Sequence, residues 1–315
     1  MMDVVALFPG QGSQKPGMGQ DLAAAFEPAR RVFAAADAAL GEPLSDLCFH
    51  GPAETLTLTQ HAQPALLTHG AAVWAVAGPS IGKRLRAAAG HSLGEFSAWH
   101  AVGALGFDTA VRLVRRRGEL MSATGQTRPG AMAAILGDTS EPIEQICARA
   151  SADPAGGEVV AANYNAPGQV VISGEPTGVL RAMELAKEAG AKRAIALNVS
   201  GAFHSPLMAP ARDGLAAALG AAAFDVPTAP VCANVNADFV CDPATAKQLL
   251  LEQLTAPVKW TDVVRRLAAA HPGALFVEMG PGTVLTGLVK KIAPEVQTMA
   301  CGTAADVDQL LAQVG

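Results

Sequence analysis

The chain has 315 residues, half of them hydrophobic, 16% charged and 4% aromatic, with a net charge of −5. That length and apolar content support a large packed core and exclude an extended disordered protein. The mildly negative balance excludes a globally basic nucleic-acid binder and a protein held to anionic membranes by bulk charge.

Residues 4–8 form a short apolar run, predicted to be a buried strand ended by "PGQGSQKPGMG". The five apolar residues before Pro9-Gly10 follow Asp3, too short and too acidic a pattern for a signal peptide. Helical patterning covers 21–40 and again 65–77. The uncharged stretch 55–82 is broken by Gln60, His61, Gln63, Pro64 and His69, so no membrane span is expected there. Small residues lead as a strand into Ser92, and another helix is predicted from Glu95. This alternation is the pattern of an α/β fold with a mostly parallel sheet.

The middle of the chain differs. A strand is predicted at 131–137, then a helix over 140–151 with Ser140 as N-cap and a first-turn glutamate. "EVVAANYN" and "QVVISG" are two β-rich runs separated by Ala166-Pro167-Gly168, a hairpin-like break. A helix over 177–190, closed by Gly190, and a strand over 193–199 follow. The order β-α-β-β-α-β is that of a ferredoxin-like unit. The expected organisation is therefore a large α/β core, 1–127 and 199–315, with a small subdomain, 128–198, inserted into it. Helices and strands alternate again from Asp213, and 276–282 is predicted as a strand running into a glycine turn.

Gly90-His91-Ser92-Leu93-Gly94 fits G-x-S-x-G, a pattern that can expose a serine hydroxyl at a strand-to-helix turn. It can equally be a small-residue turn. If Ser92 reacts, it lies near a helix N-terminus, where the Leu93 N–H is the natural donor to an oxyanion. A base must come from seven histidines. His91 adjoins Ser92 but points elsewhere in such a turn, making it a structural donor. His50, His61, His69, His100 and His271 stand in contexts that read as surface or core. His204, where the fourth strand returns to the core, is the candidate base; the alternative is a histidine capping the Ser205-Pro206 turn.

At about 100° per residue, "DTAVRLVRRRGELM" gathers Ala110, Leu113, Val114, Leu120 and Met121 on one face. Arg112, Arg115, Arg116 and Glu119 fall on the opposite, solvated side. Arg117 falls in the middle of the apolar face. A guanidinium there needs acceptors: an internal carboxylate, or a substrate carboxylate gripped as by a fork. The loop at 8–19 is not a phosphate loop, having neither G-x-x-x-x-G-K-[ST] nor a complete G-x-G-x-x-G. It can instead bring the Gln11 N–H to a reacting centre. Five cysteines (Cys48, Cys147, Cys232, Cys241, Cys301) form no C-x-x-C pair, and no metal-ligand spacing occurs. That usage points to a reducing, cytoplasmic setting.

Taken in order, "FPGQGSQKPGMG", "GHSLGE", "RRRGELM", "NYNAPGQVVISG", "VSGAFHSPLM", "QLTAPVKW" and "FVEMGPGT" resemble the malonyl-CoA:acyl carrier protein transacylases over essentially the whole chain. The chain is also similar to the acyltransferase domains of polyketide and fatty acid synthases. The resemblance implies a hydrolase-like α/β core with a ferredoxin-like subdomain. It implies a ping-pong transfer of malonyl from coenzyme A to the phosphopantetheine thiol of acyl carrier protein, without cofactor or metal. Position by position, it makes Ser92 the nucleophile, His204 the base and Arg117 the ligand of the malonyl carboxylate. It also makes the N–H groups of Gln11 and Leu93 the oxyanion donors, and the main-chain carbonyl of Gln253 the group that orients the histidine. Phe203, in Gly201-Ala202-Phe203-His204, matches the malonyl-selecting form of that segment. Phe96 departs from the pattern, standing where many relatives have Tyr. The expected partners are malonyl-CoA and acyl carrier protein, with no nucleic acid and no membrane, and the expected state is a monomer. Lys290-Lys291 and Lys187 with Lys192-Arg193 are candidate docking patches. Fatty acid synthesis is the expected pathway. A polyketide-pathway acyltransferase, a serine thioesterase or hydrolase, and a non-catalytic docking module are the alternatives.

Overall fold

The computed structural model describes residues 2–314. One six-stranded sheet has the order β10-β9-β1-β2-β7-β8, from strands β1 (Val4–Phe8), β2 (Leu85–Gly90), β7 (Val231–Cys232), β8 (Phe239–Val240), β9 (Leu275–Met279) and β10 (Gln297–Cys301). All its pairings are parallel except β7 with the edge strand β8. Parallel strands covered by helices on both faces have no solvent side, so their sequence shows no polar alternation. β1 illustrates this: Val4, Ala6 and Phe8 enter one core, and Val5 and Leu7 enter the other.

The second sheet has the order β4-β5-β3-β6, from β3 (Ala131–Leu136), β4 (Val159–Ala166), β5 (Gln169–Gly174) and β6 (Arg193–Ala196), with every pairing antiparallel. Helices Ile143–Ala152 and Pro176–Glu188 cover one face through Ile146, Ala150, Val179 and Leu185. Met132, Ala162 and Val171 on the other face join the large core. The small sheet is tied to the core at Val258, which lies outside both sheets: the Tyr164 N–H donates to the Val258 carbonyl (2.9 Å), and the Val258 N–H to the Ala162 carbonyl (2.8 Å).

Several local expectations need correction. Helix 140–151 has no serine cap; it starts at Ile143 behind Pro142, and the Ser140 N–H goes to the Ala189 carbonyl. Residues 21–40 are two helices, Gln20–Ala25 and Glu27–Leu40, because Phe26 is extended (φ −123°, ψ 122°). The helix expected at 65–77 runs from Thr59 to Ile81 with Pro64 and Pro79 inside it, almost wholly buried along its first two thirds. Arg115, expected in solvent, is half-buried and paired with Glu42. The strand expected over 193–199 ends at Ala196. No helix of the described residues is long and apolar enough to cross a membrane.

Candidate active site

Ser92 lies just past the C-terminal end of β2, in a left-handed conformation (φ 53°) that costs a non-glycine residue about 1 kcal/mol or more. The turn is tight because both flanking glycines touch backbone. A Cβ on Gly90 would stand 1.9 Å from the Gly94 carbonyl, and one on Gly94 would stand 2.1 Å from the Phe8 oxygen. Gly94→Ala is therefore expected to destabilise the fold by about 3 kcal/mol or more. Urea unfolding checks this; an unchanged midpoint would contradict the packing described. Asn234 closes the turn from below: its Oδ1 accepts the Ser92 N–H (2.7 Å) and its Nδ2 donates to the Gly90 carbonyl (2.7 Å). That commits the Ser92 N–H. The Leu93 and Gln11 N–H groups, by contrast, have no protein acceptor among the described residues.

His204 is the second non-glycine residue here in a left-handed conformation (φ 57°). Its Nε2 lies 2.7 Å from the Ser92 Oγ and its Nδ1 lies 2.8 Å from the Gln253 main-chain oxygen. A carbonyl only accepts, so Nδ1 carries the proton and Nε2 is left to receive one from the hydroxyl. The ring is buried, and burial, followed by the charge of Arg117, pushes its pKa down to about 3. It therefore stands neutral, as a base must.

Arg117 is 1% exposed, the third-largest side chain so buried. It donates to Gln63 Oε1 (2.8 Å), Gln253 Oε1 (2.9 Å) and Ser92 Oγ (3.2 Å), with its Cζ 5.6 Å from the Phe96 ring centre. Among the described residues no carboxylate lies within 4.0 Å of it, so the internal ion pair is not formed. Three of five N–H donors are used; the buried Nε–H is one of those left over. The groups meet in a cleft of about 190 Å³ lined also by Met121, Met132, Val171, Leu197, Val199 and Phe203. One wall is the helix-free face of the small sheet. Such a site offers a hydroxyl with a base, two open N–H groups and a buried cation: nucleophilic attack on a carbonyl whose substituent carries an anion.

Comparison with known proteins agrees. The acyl transferase domain model matches residues 5–307. A Bacillus subtilis malonyl CoA-acyl carrier protein transacylase is 48% identical over 95% of this chain and 93% of its own. The chain belongs to the malonyl-CoA:acyl carrier protein transacylase family. The acyl-carrier-protein S-malonyltransferase of Bartonella henselae superposes over 100% of both chains with a TM-score of 0.93 at 40% identity. A malonyl-transacylase solved with a type II polyketide synthase acyl carrier protein matches at 0.93 and 40%, covering 99% of each chain.

In this member of the transacylase family, all seven sequence-derived site residues come together. Gln11, Ser92, Leu93, Arg117, Phe203 and His204 line the cleft, and Gln253 lies beneath it. His91 lines the cleft too, but it spends its Nε2 on Asn165 Oδ1 (2.8 Å) rather than on the Ser92 hydroxyl, in keeping with a structural role. Gln63, Asn234 and Glu95 escape the sequence reading. Each is a polar residue in an unremarkable context whose burial only the fold reveals; Glu95, just past the glycine turn, has the one local clue.

Two neutral imidazoles make the protein acid-sensitive. Burial pushes His69 down to about 4 and, with Arg117, His204 to about 3, whereas the unfolded chain protonates both near 6.5. Their contribution is complete above pH 6.5 and is lost as pH falls toward those values. Glu95 opposes them: burial raises it to about 7 from 4.5, so its contribution is lost as pH rises through that interval. His61, His91, His100 and His271 are also held low by burial, against Glu278 as a second carboxyl held high, so histidines prevail and the urea midpoint is expected to fall from pH 7 to pH 5. A midpoint that rises on acidification would contradict this.

Proposed function

We propose that this chain transfers malonyl from malonyl-CoA to the phosphopantetheine thiol of an acyl carrier protein, through a malonyl ester on Ser92. Its product supplies extender units for fatty acid synthesis. The observation that carries the reading is Arg117, buried beside Ser92 with spare donors and no carboxylate partner. His204 takes the Ser92 proton as Oγ bonds the thioester carbon; the N–H groups of Gln11 and Leu93 receive the oxyanion. Collapse breaks the C–S bond, and His204 returns the proton to the departing coenzyme A thiolate. The carrier thiol then repeats the sequence in reverse. Arg117 grips the malonyl carboxylate, which sits three bonds from Oγ, and Phe203 crowds an α-branched acyl group.

The unit 128–198 acts as a subdomain walling the cleft, and 1–127 with 199–315 as the core. The five cysteines are free, as suits a cytoplasmic enzyme, and the protein acts as a monomer. No cofactor is needed for these steps. Exposed Lys290-Lys291, or Lys187 with Lys192-Arg193, would meet an acidic carrier. The likeness to a polyketide transacylase favours a second reading of the pathway, with the same chemistry.

The test follows malonyl transfer to the holo-carrier and release of free malonate together, with acetyl- and methylmalonyl-CoA competing. Transfer should dominate and neither competitor should match malonyl-CoA. Release of free malonate without transfer would make the protein a hydrolase instead.

A further inference from the structure

Gln253 has two attachments to the site. Its main-chain carbonyl holds His204, and its side-chain amide reaches Arg117. An amide has a donor end and an acceptor end, and the two are nearly the same shape. Something must decide which end faces the guanidinium. Here Oε1 accepts from Arg117 (2.9 Å), while Nε2 donates to Glu95 Oε2 (2.8 Å) and to the Ser92 carbonyl (3.0 Å). Turning the amide end for end would set N–H against N–H at Arg117 and oxygen against oxygen at Glu95.

Glu95 is itself held: it is 1% exposed, and Oε2 also accepts the Asn234 N–H (3.1 Å). The Trp99 indole is the remaining polar neighbour of this carboxyl, and Oε1 accepts no well-formed hydrogen bond, so a proton taken up there leaves Oε2 an acceptor. The arrangement answers how a buried arginine can stay available. A carboxylate bonded to it directly would occupy its donors. An amide placed between the two uses one donor and keeps the anion at a distance.

We infer that Glu95 is a positioning residue for malonyl loading: by fixing the orientation of the Gln253 amide it holds the Arg117 guanidinium toward the cleft with donors free for the substrate carboxylate. The inference rests on the malonyl-transfer reading above. It concerns acyl selection, which a residue that merely supports the fold would not alter.

The experiment uses the full chain with Glu95→Met, which removes the acceptor at similar length, Glu95→Gln, which keeps one, and Gln253→Met. Gln253→Met deletes the amide while retaining the carbonyl to His204. Single-turnover acylation of Ser92 is measured with malonyl-CoA and with acetyl-CoA. Glu95→Met and Gln253→Met should each lower the malonyl-to-acetyl ratio roughly ten- to hundredfold, the range for one lost hydrogen bond to a charged group. Glu95→Gln should recover most of it. An unchanged ratio in folded Glu95→Met overturns the inference, as does a Glu95→Gln variant equally impaired. Should Glu95→Met not fold, an unchanged ratio in Gln253→Met overturns it. Unfolding of both methionine variants counts as a structural role and against positioning. If the unmodified protein fails to load malonyl at all, the function is wrong; if it loads and the ratios hold, only this inference is.

Discussion

His204→Ala is expected to slow acylation of Ser92 by about 10³- to 10⁴-fold, the usual share of a general base acting on a serine hydroxyl. Among the described residues the ring is the one group positioned to take the Oγ proton, at 2.7 Å, and its other nitrogen is tied to Gln253. Ser92→Ala should abolish the covalent step. The double variant should be no worse than Ser92→Ala alone, because base and nucleophile act as one unit. Stopped-time acylation with malonyl-CoA measures all three. A His204→Ala protein that kept a tenth of its activity would mean that another group takes the proton.

Arg117→Ala is expected to cut kcat/KM for malonyl-CoA by about 10²- to 10⁴-fold, the loss of one or two hydrogen bonds to a carboxylate plus the charge behind them. Acetyl-CoA carries no such group and should be loaded as well as before or better. The same change removes a cation that depresses His204, so the base should move upward from about 3. Arg117→Lys should restore little, since an ammonium cannot reproduce the planar fork. Equal loss for both acyl donors would assign Arg117 to structure and leave the malonyl carboxylate without a partner.

Much of the site is legible in the sequence because the deciding residues break local rules. A guanidinium in the centre of an apolar helical face announces its own burial, and Arg117 is buried. The glycines around Ser92 announce a tight turn, and each proves to sit where a Cβ would strike backbone. The hairpin and the β-α-β-β-α-β order are readable because antiparallel strands announce their turns. Sequence pattern is silent on long-range polar contacts. Asn234 approaches Ser92 across 142 positions, and Gln63 approaches Arg117 across 54. No periodicity encodes such meetings. The helix at 59–81 reads too short in the sequence because prolines discourage extension locally, whereas burial along most of its length overrides that preference here. Ser140 shows the converse: a good cap by type, it caps nothing because the helix starts three residues later, behind Pro142.

The central claim is that the acyl group rests on Ser92 before a thiol receives it. Peptide mass spectrometry after mixing with malonyl-CoA, quenched with and without holo acyl carrier protein, tests it most directly. The expected result is malonyl on the Ser92 peptide that disappears, as the carrier is malonylated, when the carrier is added. Transfer proceeding with no adduct on Ser92, or an adduct that the carrier thiol cannot clear, would contradict it.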